Sequence, residues 1–478
     1  MILDKQYYLD IFGVDDNLLR ELVQTALSRG GTYSDLFFEN TSYGNLYLRD
    51  GAVTSGGSHV DFGAGVRVLE GEKTGYAYSE STAKADLLSC AKAASAISSG
   101  CPAVVENATR PAFRGEPNPA ADRYPVRENW FGREMSSYLP FLRDVDSAIR
   151  ARDSRVEKVV VVLSFQMSDI LMFNSLGELK WETRPMGSVN ASVVFRQGSD
   201  VVNNSVSRSF RCGAEMLGAS LVKEFADAAV RGLDARFEAS RPKGGKMSVV
   251  MGAGASGILL HEAMGHAFEA DFNRKGISVF ADKMGQKICP ENITIVDDAT
   301  LPGNRGALNF DDEGVPGQHT VMVERGVLTS YLHDRISAAH YGVAPTGNGR
   351  RESFRYAPLP RMRATYMDPG DANPADIIAS VKNGIYVDEF SNGQVKIGEG
   401  DFTFYVKSGF LIENGHLTMP VKDINIIGNG PAALRDIVAV GNDLEITPLT
   451  WVCGKEQSVP VSCGIPTVLV RNLTVGGN

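Results

Sequence analysis

Two histidines and a glutamate stand together near the middle of the chain, in Gly257-Ile258-Leu259-Leu260-His261-Glu262-Ala263-Met264-Gly265-His266-Ala267-Phe268-Glu269-Ala270-Asp271. A neutral imidazole binds Zn2+ through its ring lone pair. A carboxylate beside such a ligand is placed to take a proton from a metal-activated water. These residue types point to metal-assisted hydrolysis, with His261 and His266 as ligands and Glu262 as general base. Glu269 and Asp271 follow closely enough to orient a ligand histidine from behind. The chain holds only 7 histidines in 478 residues, so two of them around one glutamate carry information.

The spacing is H-E-x-x-x-H. In the commoner H-E-x-x-H arrangement the histidines lie four apart on one helix face. Five residues of regular α-helix turn the second ring about 140° away from the first. One ion then meets both rings only if the helix is irregular between them. A single π-type turn over residues 263–266 would restore the alignment, and Gly265 is the residue there most tolerant of distortion.

Other groups compete for a role. Arg350, Arg351 and Arg355 follow a glycine turn, and such a cluster either faces solvent or binds a peptide's carboxylate and carbonyls. His319, His333 and His340 read as surface or hydrogen-bonded histidines, not ligands. Gly63-Ala64-Gly65-Val66-Arg67 lacks the G-x-G-x-x-G pattern and reads as strand packing. The glycines between Gly252 and Gly257 read as close backbone approach before the motif helix.

The elements that must position this chemistry follow from periodicity. Apolar residues at helical spacing over 18–27 stop at Gly30-Gly31, and strand-like segments cover 34–39, 45–49, 60–69 and 75–78. A second helix is expected over 81–97. Residues 101–127 are rich in Pro, Asn and Arg without periodicity and read as a linker; a helix over 141–150 follows. Segments 159–165, 170–174, 179–182 and 191–195 read as an antiparallel meander with a turn at Ser175-Leu176-Gly177. A helix over 214–230 and a strand over 247–251 lead into the motif helix. Asn373-Pro374 signals one more helix start in a strand-rich last third. The expected fold is α+β: an N-terminal α/β domain over 1–105, a linker and connecting helix over 106–154, and a larger β-rich domain over 155–478 carrying the metal-site helix.

Composition excludes several classes. Hydrophobic residues at 43% and charged residues at 22% describe a folded chain, not a disordered one. A net charge of −9 without a basic face argues against nucleic acid as a partner. No apolar run approaches the roughly 20 residues of a membrane span, so no membrane partner is expected. Met1-Ile2-Leu3-Asp4-Lys5 does not open a signal peptide, and the six cysteines form no C-x-x-C pair. The expected location is cytoplasmic.

The motif and its neighbours resemble the TldD/PmbA family, named as modulators of DNA gyrase and regarded as metallopeptidases. The resemblance rests on His59 to Arg67, Gly75-Tyr76-Ala77-Tyr78, His261 to His266 with Glu269-Ala270-Asp271, Gly347-Asn348-Gly349-Arg350-Arg351, Ile427-Gly428-Asn429-Gly430, Cys453-Gly454-Lys455 and Leu473-Thr474-Val475-Gly476-Gly477. It looks like the TldD branch, which carries the histidines. The resemblance implies a third ligand, Cys453, and one Zn2+ per chain. It leaves Cys463 as an ordinary buried thiol. It implies peptides or unfolded polypeptide as substrate, and a homodimer or a heterodimer with a PmbA-like subunit. A non-catalytic partner subunit or peptide-binding scaffold is the alternative reading. Pro360-Arg361-Met362-Arg363-Ala364-Thr365 departs from the family's usual Arg-Met-Thr-Asn-Thr, a change expected to alter the substrate groove and not the metal site.

Overall fold

The structure is a computed structural model that describes residues 3–98, 114–115, 122–254, 256–396 and 399–476. Most of the linker expected over 101–127 lies outside the described residues. Within it, Arg114–Gly115 pairs in parallel with Glu178–Leu179.

The first half is built on one seven-stranded sheet. Its long members are β1 (Tyr33–Arg49), β2 (Ala52–Glu70), β3 (Lys73–Ser79), then Arg114–Gly115 as β4, β5 (Val156–Asn174), β6 (Glu178–Gln197) and β7 (Asp200–Phe210). β1 pairs antiparallel with both β2 and β5. One sheet therefore draws strands from both sides of the stretch between residues 106 and 154.

Alternation decides what each face covers. On one face Leu36, Phe38, Val66, Val68, Leu171 and Phe173 pack under the helices Lys5–Phe12, Asp16–Ala26 and Lys84–Ser95. In Asp16–Ala26 the buried residues Leu19, Leu22, Val23 and Ala26 follow helical spacing, and Asp15 caps the helix by accepting from Leu18 N. Further along, Leu46, Leu48, Val161, Leu163, Val189 and Ala191 pack under Leu139–Arg150 and Ala219–Val230. The opposite face, through Phe37, Ile170 and Met172, meets Phe310 and Phe354 from the second half of the chain.

Two expectations need correction here. Segments read as separate strands are continuous, because the ladder runs on through the polar residues between the two helical covers. At Gly44 the Phe165 ring fills the space that a side chain would need. The helix expected over 214–230 is broken: Ala214–Met216 is a 3-10 turn and the α-helix starts at Ala219, because Gly218 is extended.

The second half contains a closed barrel. Gly245–Met251 pairs with Asn383–Lys396 and with Val468–Gly476. Val468–Gly476 pairs with Asn425–Asn429, which pairs with Asp401–Glu413, which returns to Asn383–Lys396. Beside it lies a six-stranded sheet that includes Ile295–Asp298, Ala364–Met367 and Ser462–Ile465. The architecture is α+β, with the larger β-rich part carrying the metal-site helix. Among the described residues no helix is long and apolar enough to cross a membrane.

Candidate metal centre

The strand Gly245–Met251 ends in a glycine-rich turn, and the helix Gly257–Ala263 follows. A side chain at Gly257 would lie 2.7 to 2.9 Å from the backbone of Gly464, so this glycine lets the helix rest directly on the strand Ser462–Ile465. Leu259, Leu260 and Met264 anchor it in the same core as Val249 and Met251.

The helix is irregular where the histidine spacing demands it. The irregularity is a break, not the expected π-type turn. The α-helix stops at Ala263, Met264 takes φ −135 and ψ −42, and Gly265–Phe268 continues as a 3-10 helix. Gly265 is not in the left-handed region. Its missing side chain instead makes room for the Met362 sulfur. The outcome is that the His261 and His266 ring centroids lie 5.3 Å apart at 80°.

Cys453 completes the group. Its Sγ is 3.3 Å from His266 Nε2, and one ligand atom from each of His261, His266 and Cys453 lies within 4.8 Å of the other two. All three residues are buried. Glu262 keeps a quarter of its side chain exposed, with Oε2 4.0 Å from His266 Nε2. It lines a cavity of about 160 Å3 together with His261, Ile258, Ser391, Trp451 and Val461. Ser391 and Trp451 also line a cleft of about 880 Å3 against β6 and β7.

The surrounding charges draw Cys453 toward its thiolate form. Burial works against ionisation of Cys453, but the adjacent His261 and His266 rings overcome it and bring the thiol down to about 5. Burial pushes Cys463 the other way, well above the ordinary thiol range. His266 Nδ1 lies 2.9 Å from Glu269 Oε2, which fixes the ring and directs Nε2 toward the cluster. Burial opposes the Glu269 carboxylate, yet Lys455 and His266 hold it down to about 2. Asp271 reaches the centre one step removed: its Oδ1 is 2.7 Å from Lys455 Nζ, which is 3.0 Å from Glu269 Oε2.

The arginine cluster does not line the cavity at Glu262 and is already engaged. Arg350 is buried and donates to the carbonyls of Met362 (2.6 Å) and Pro460 (2.8 Å). Arg351 is buried against the Phe37 ring and donates to Asp312 O at 2.8 Å. Arg355 pairs with Glu80 and Asp61. Arg350 and Arg351 are buried and turn donors to this chain's own carbonyls, which corrects the expectation of substrate contact there. Arg363 is likewise buried, with Nε 2.8 Å from Asp297 Oδ2, so the departure from the family pattern there lies in the protein interior and not in a groove. His340 pairs with Glu72, and His333 is buried; neither joins the cluster.

Sequence reasoning missed Lys455 and Arg361. Lys455 had a signal: exposure alternates along Val452–Lys455, which puts the lysine on the buried side with Cys453. Arg361, fully buried, donates to Cys453 O at 2.6 Å and Gln457 O at 2.9 Å.

Comparison with known proteins places the chain in a family. Family models match in chain order: PmbA/TldA metallopeptidase domain 1 over residues 34–98, the central domain over 135–236, and the C-terminal domain over 244–477. The metalloprotease TldD homolog of Haemophilus influenzae is 39% identical over 451 residues, 93% of each chain. The chain belongs to the TldD/PmbA metallopeptidase family. A metalloprotease of Methanothermobacter thermautotrophicus is 32% identical over 456 residues, covering 93% of this chain and 95% of its own. TldE from Thermococcus kodakarensis shares the fold at a TM-score of 0.73 with 19% identity, covering 96% of this chain and 100% of that one.

The residues present fit the zinc of a TldD-type metallopeptidase. Two imidazoles and a thiolate form a familiar zinc donor set.

Proposed function

We propose that this chain is a TldD-type zinc peptidase that hydrolyses peptide bonds in peptides or unfolded polypeptide segments. His261, His266 and Cys453 would hold one Zn2+, and Glu262 would act as general base. The observation that supports this most is the meeting of three ligand atoms within 4.8 Å beside a part-exposed glutamate. When bound, zinc supplies a Lewis acid that polarises the scissile carbonyl and acidifies the attacking water. Glu262, facing the cavity, accepts the water's proton at its carboxylate and passes it to the departing amine. Glu269 keeps His266 in one orientation, and Lys455 keeps Glu269 charged.

The intact ligands and glutamate favour this reading over a non-catalytic subunit or peptide-binding scaffold. Two further parts of the proposal rest on the sequence and on family membership: a cytoplasmic location, and a two-fold assembly, either a homodimer or a heterodimer with a PmbA-like subunit. The mass of the purified protein in solution tests the second part, and a stable monomer would contradict it.

Metal analysis of two cysteine variants tests the ligand set. Cys453→Ser should lose most of its zinc, because a hydroxyl is a far poorer ligand than a thiolate. Cys463→Ser should keep it. Full zinc in Cys453→Ser would show that the third ligand is wrongly chosen.

A further inference from the structure

Cys453 rides on a two-stranded hairpin, Val452–Lys455 with Gln457–Pro460, which joins no larger sheet among the described residues. A hairpin this short is marginal by itself. Yet it must hold a thiolate against two rings carried by a separate helix. Besides Lys455, which reaches Glu269 and Asp271, one segment, residues 350–361, holds the hairpin. Arg350 Nη2 donates to Pro460 O at 2.8 Å. Glu352 closes on the turn from both ends: its N–H donates to Gln457 Oε1 at 2.9 Å, and its Oε2 accepts from Ser458 N at 2.6 Å. Arg361 grips the inner edge through the carbonyls of Cys453 and Gln457.

Arg361 also faces the other half of the centre. Its Nε lies 3.8 Å from Glu269 Oε1, and neither buried atom makes a hydrogen bond among the described residues. The other oxygen of that carboxylate fixes His266. One guanidinium thus hydrogen-bonds the strand that carries one ligand and lies within ion-pair range, though not hydrogen-bond distance, of the carboxylate that orients another.

We infer that Arg361 is a positioning residue that sets zinc affinity by fixing the backbone of the Cys453 hairpin beside Glu269 before the metal binds, in addition to the Lys455–Glu269 contact. The inference rests on the zinc-peptidase reading above. The rigid guanidinium fork matters: it reaches two carbonyls while keeping Nε toward the carboxylate, which a single ammonium cannot do. Groups behind metal ligands commonly change affinity by about 10- to 100-fold when removed.

The test is zinc affinity of the full chain, measured by competition with a chromophoric chelator. Arg361→Gln should weaken zinc binding about 10- to 100-fold, and Arg361→Lys should restore part of the loss. A purely structural role would lower the melting temperature of Arg361→Gln and leave its zinc affinity unchanged, which would overturn the inference. Glu352→Ala provides a second variant at an exposed residue, in case Arg361→Gln does not fold. It should weaken zinc binding several-fold and speed amide hydrogen exchange across residues 452–460. Wild-type affinity and exchange in Glu352→Ala would count equally against the inference. A wild-type chain that binds no zinc would end the zinc reading and this inference together. A wild type that binds zinc, with both variants unchanged, ends this inference alone.

Discussion

His333 is a buried histidine that the metal centre does not use, and it carries a cost. Burial lowers its pKa from 6.5 to about 4, and its Nδ1 makes no hydrogen bond in the protein. Between those two values the unfolded chain binds a proton that the folded chain refuses. This group's contribution to stability is therefore complete above pH 6.5 and is lost as pH drops toward 4, by on the order of 3 kcal/mol. Denaturant unfolding at pH 7 and pH 4.5 should show this loss, and His333→Gln should show less of it. An unchanged pH dependence in the variant would assign the acid sensitivity to other groups. At this scale the sequence is readable where chemistry-bearing residues are neighbours. His261, Glu262 and His266 announce themselves by adjacency. Cys453 lies 187 residues from His266, so no spacing rule reaches it and only the resemblance names it. Arg350 and Arg351 mislead because a basic pair after a glycine looks the same whether it meets solvent or buried carbonyls.

The metal-site helix works because its neighbours come unusually close. Gly257→Ala would drive a methyl group into the backbone around Gly464, which cannot step aside as a flexible side chain would. We expect a loss of about 1–3 kcal/mol in thermal or chemical unfolding, together with weaker zinc retention. Wild-type stability in this variant would mean that the helix does not rest on that strand. The need for a broken helix follows from geometry alone, since five residues of regular helix separate the rings too far. Its form does not follow, because the packing of Met362 against Gly265 and the backbone angles of Met264 are tertiary facts with no local signature. The long strands read short for a related reason. Polar residues in β1 and β5 interrupt the alternation, while the ladder beneath them continues from Asp35↔Asn174 to Arg49↔Val160.

For the whole molecule, the buried ligands and the small cavity at Glu262 govern what can be cleaved. On the proposed reading, a peptide would reach that carboxylate as an extended segment through a cavity of about 160 Å3. A stably folded protein incubated with the enzyme should persist, while the same protein after denaturation is degraded. Equal rates for both would contradict a recessed site. The assembly proposed from family membership would restrict access further. The central claim is that Glu262 activates water at a zinc held by His261, His266 and Cys453. Its most direct test compares wild type with Glu262→Gln, measuring zinc per chain and the rate of cleavage of an unfolded polypeptide in the same preparations. The account predicts one zinc per chain in both proteins and a loss of about a hundredfold or more in rate for the variant. Cleavage at the wild-type rate by zinc-loaded Glu262→Gln would contradict it.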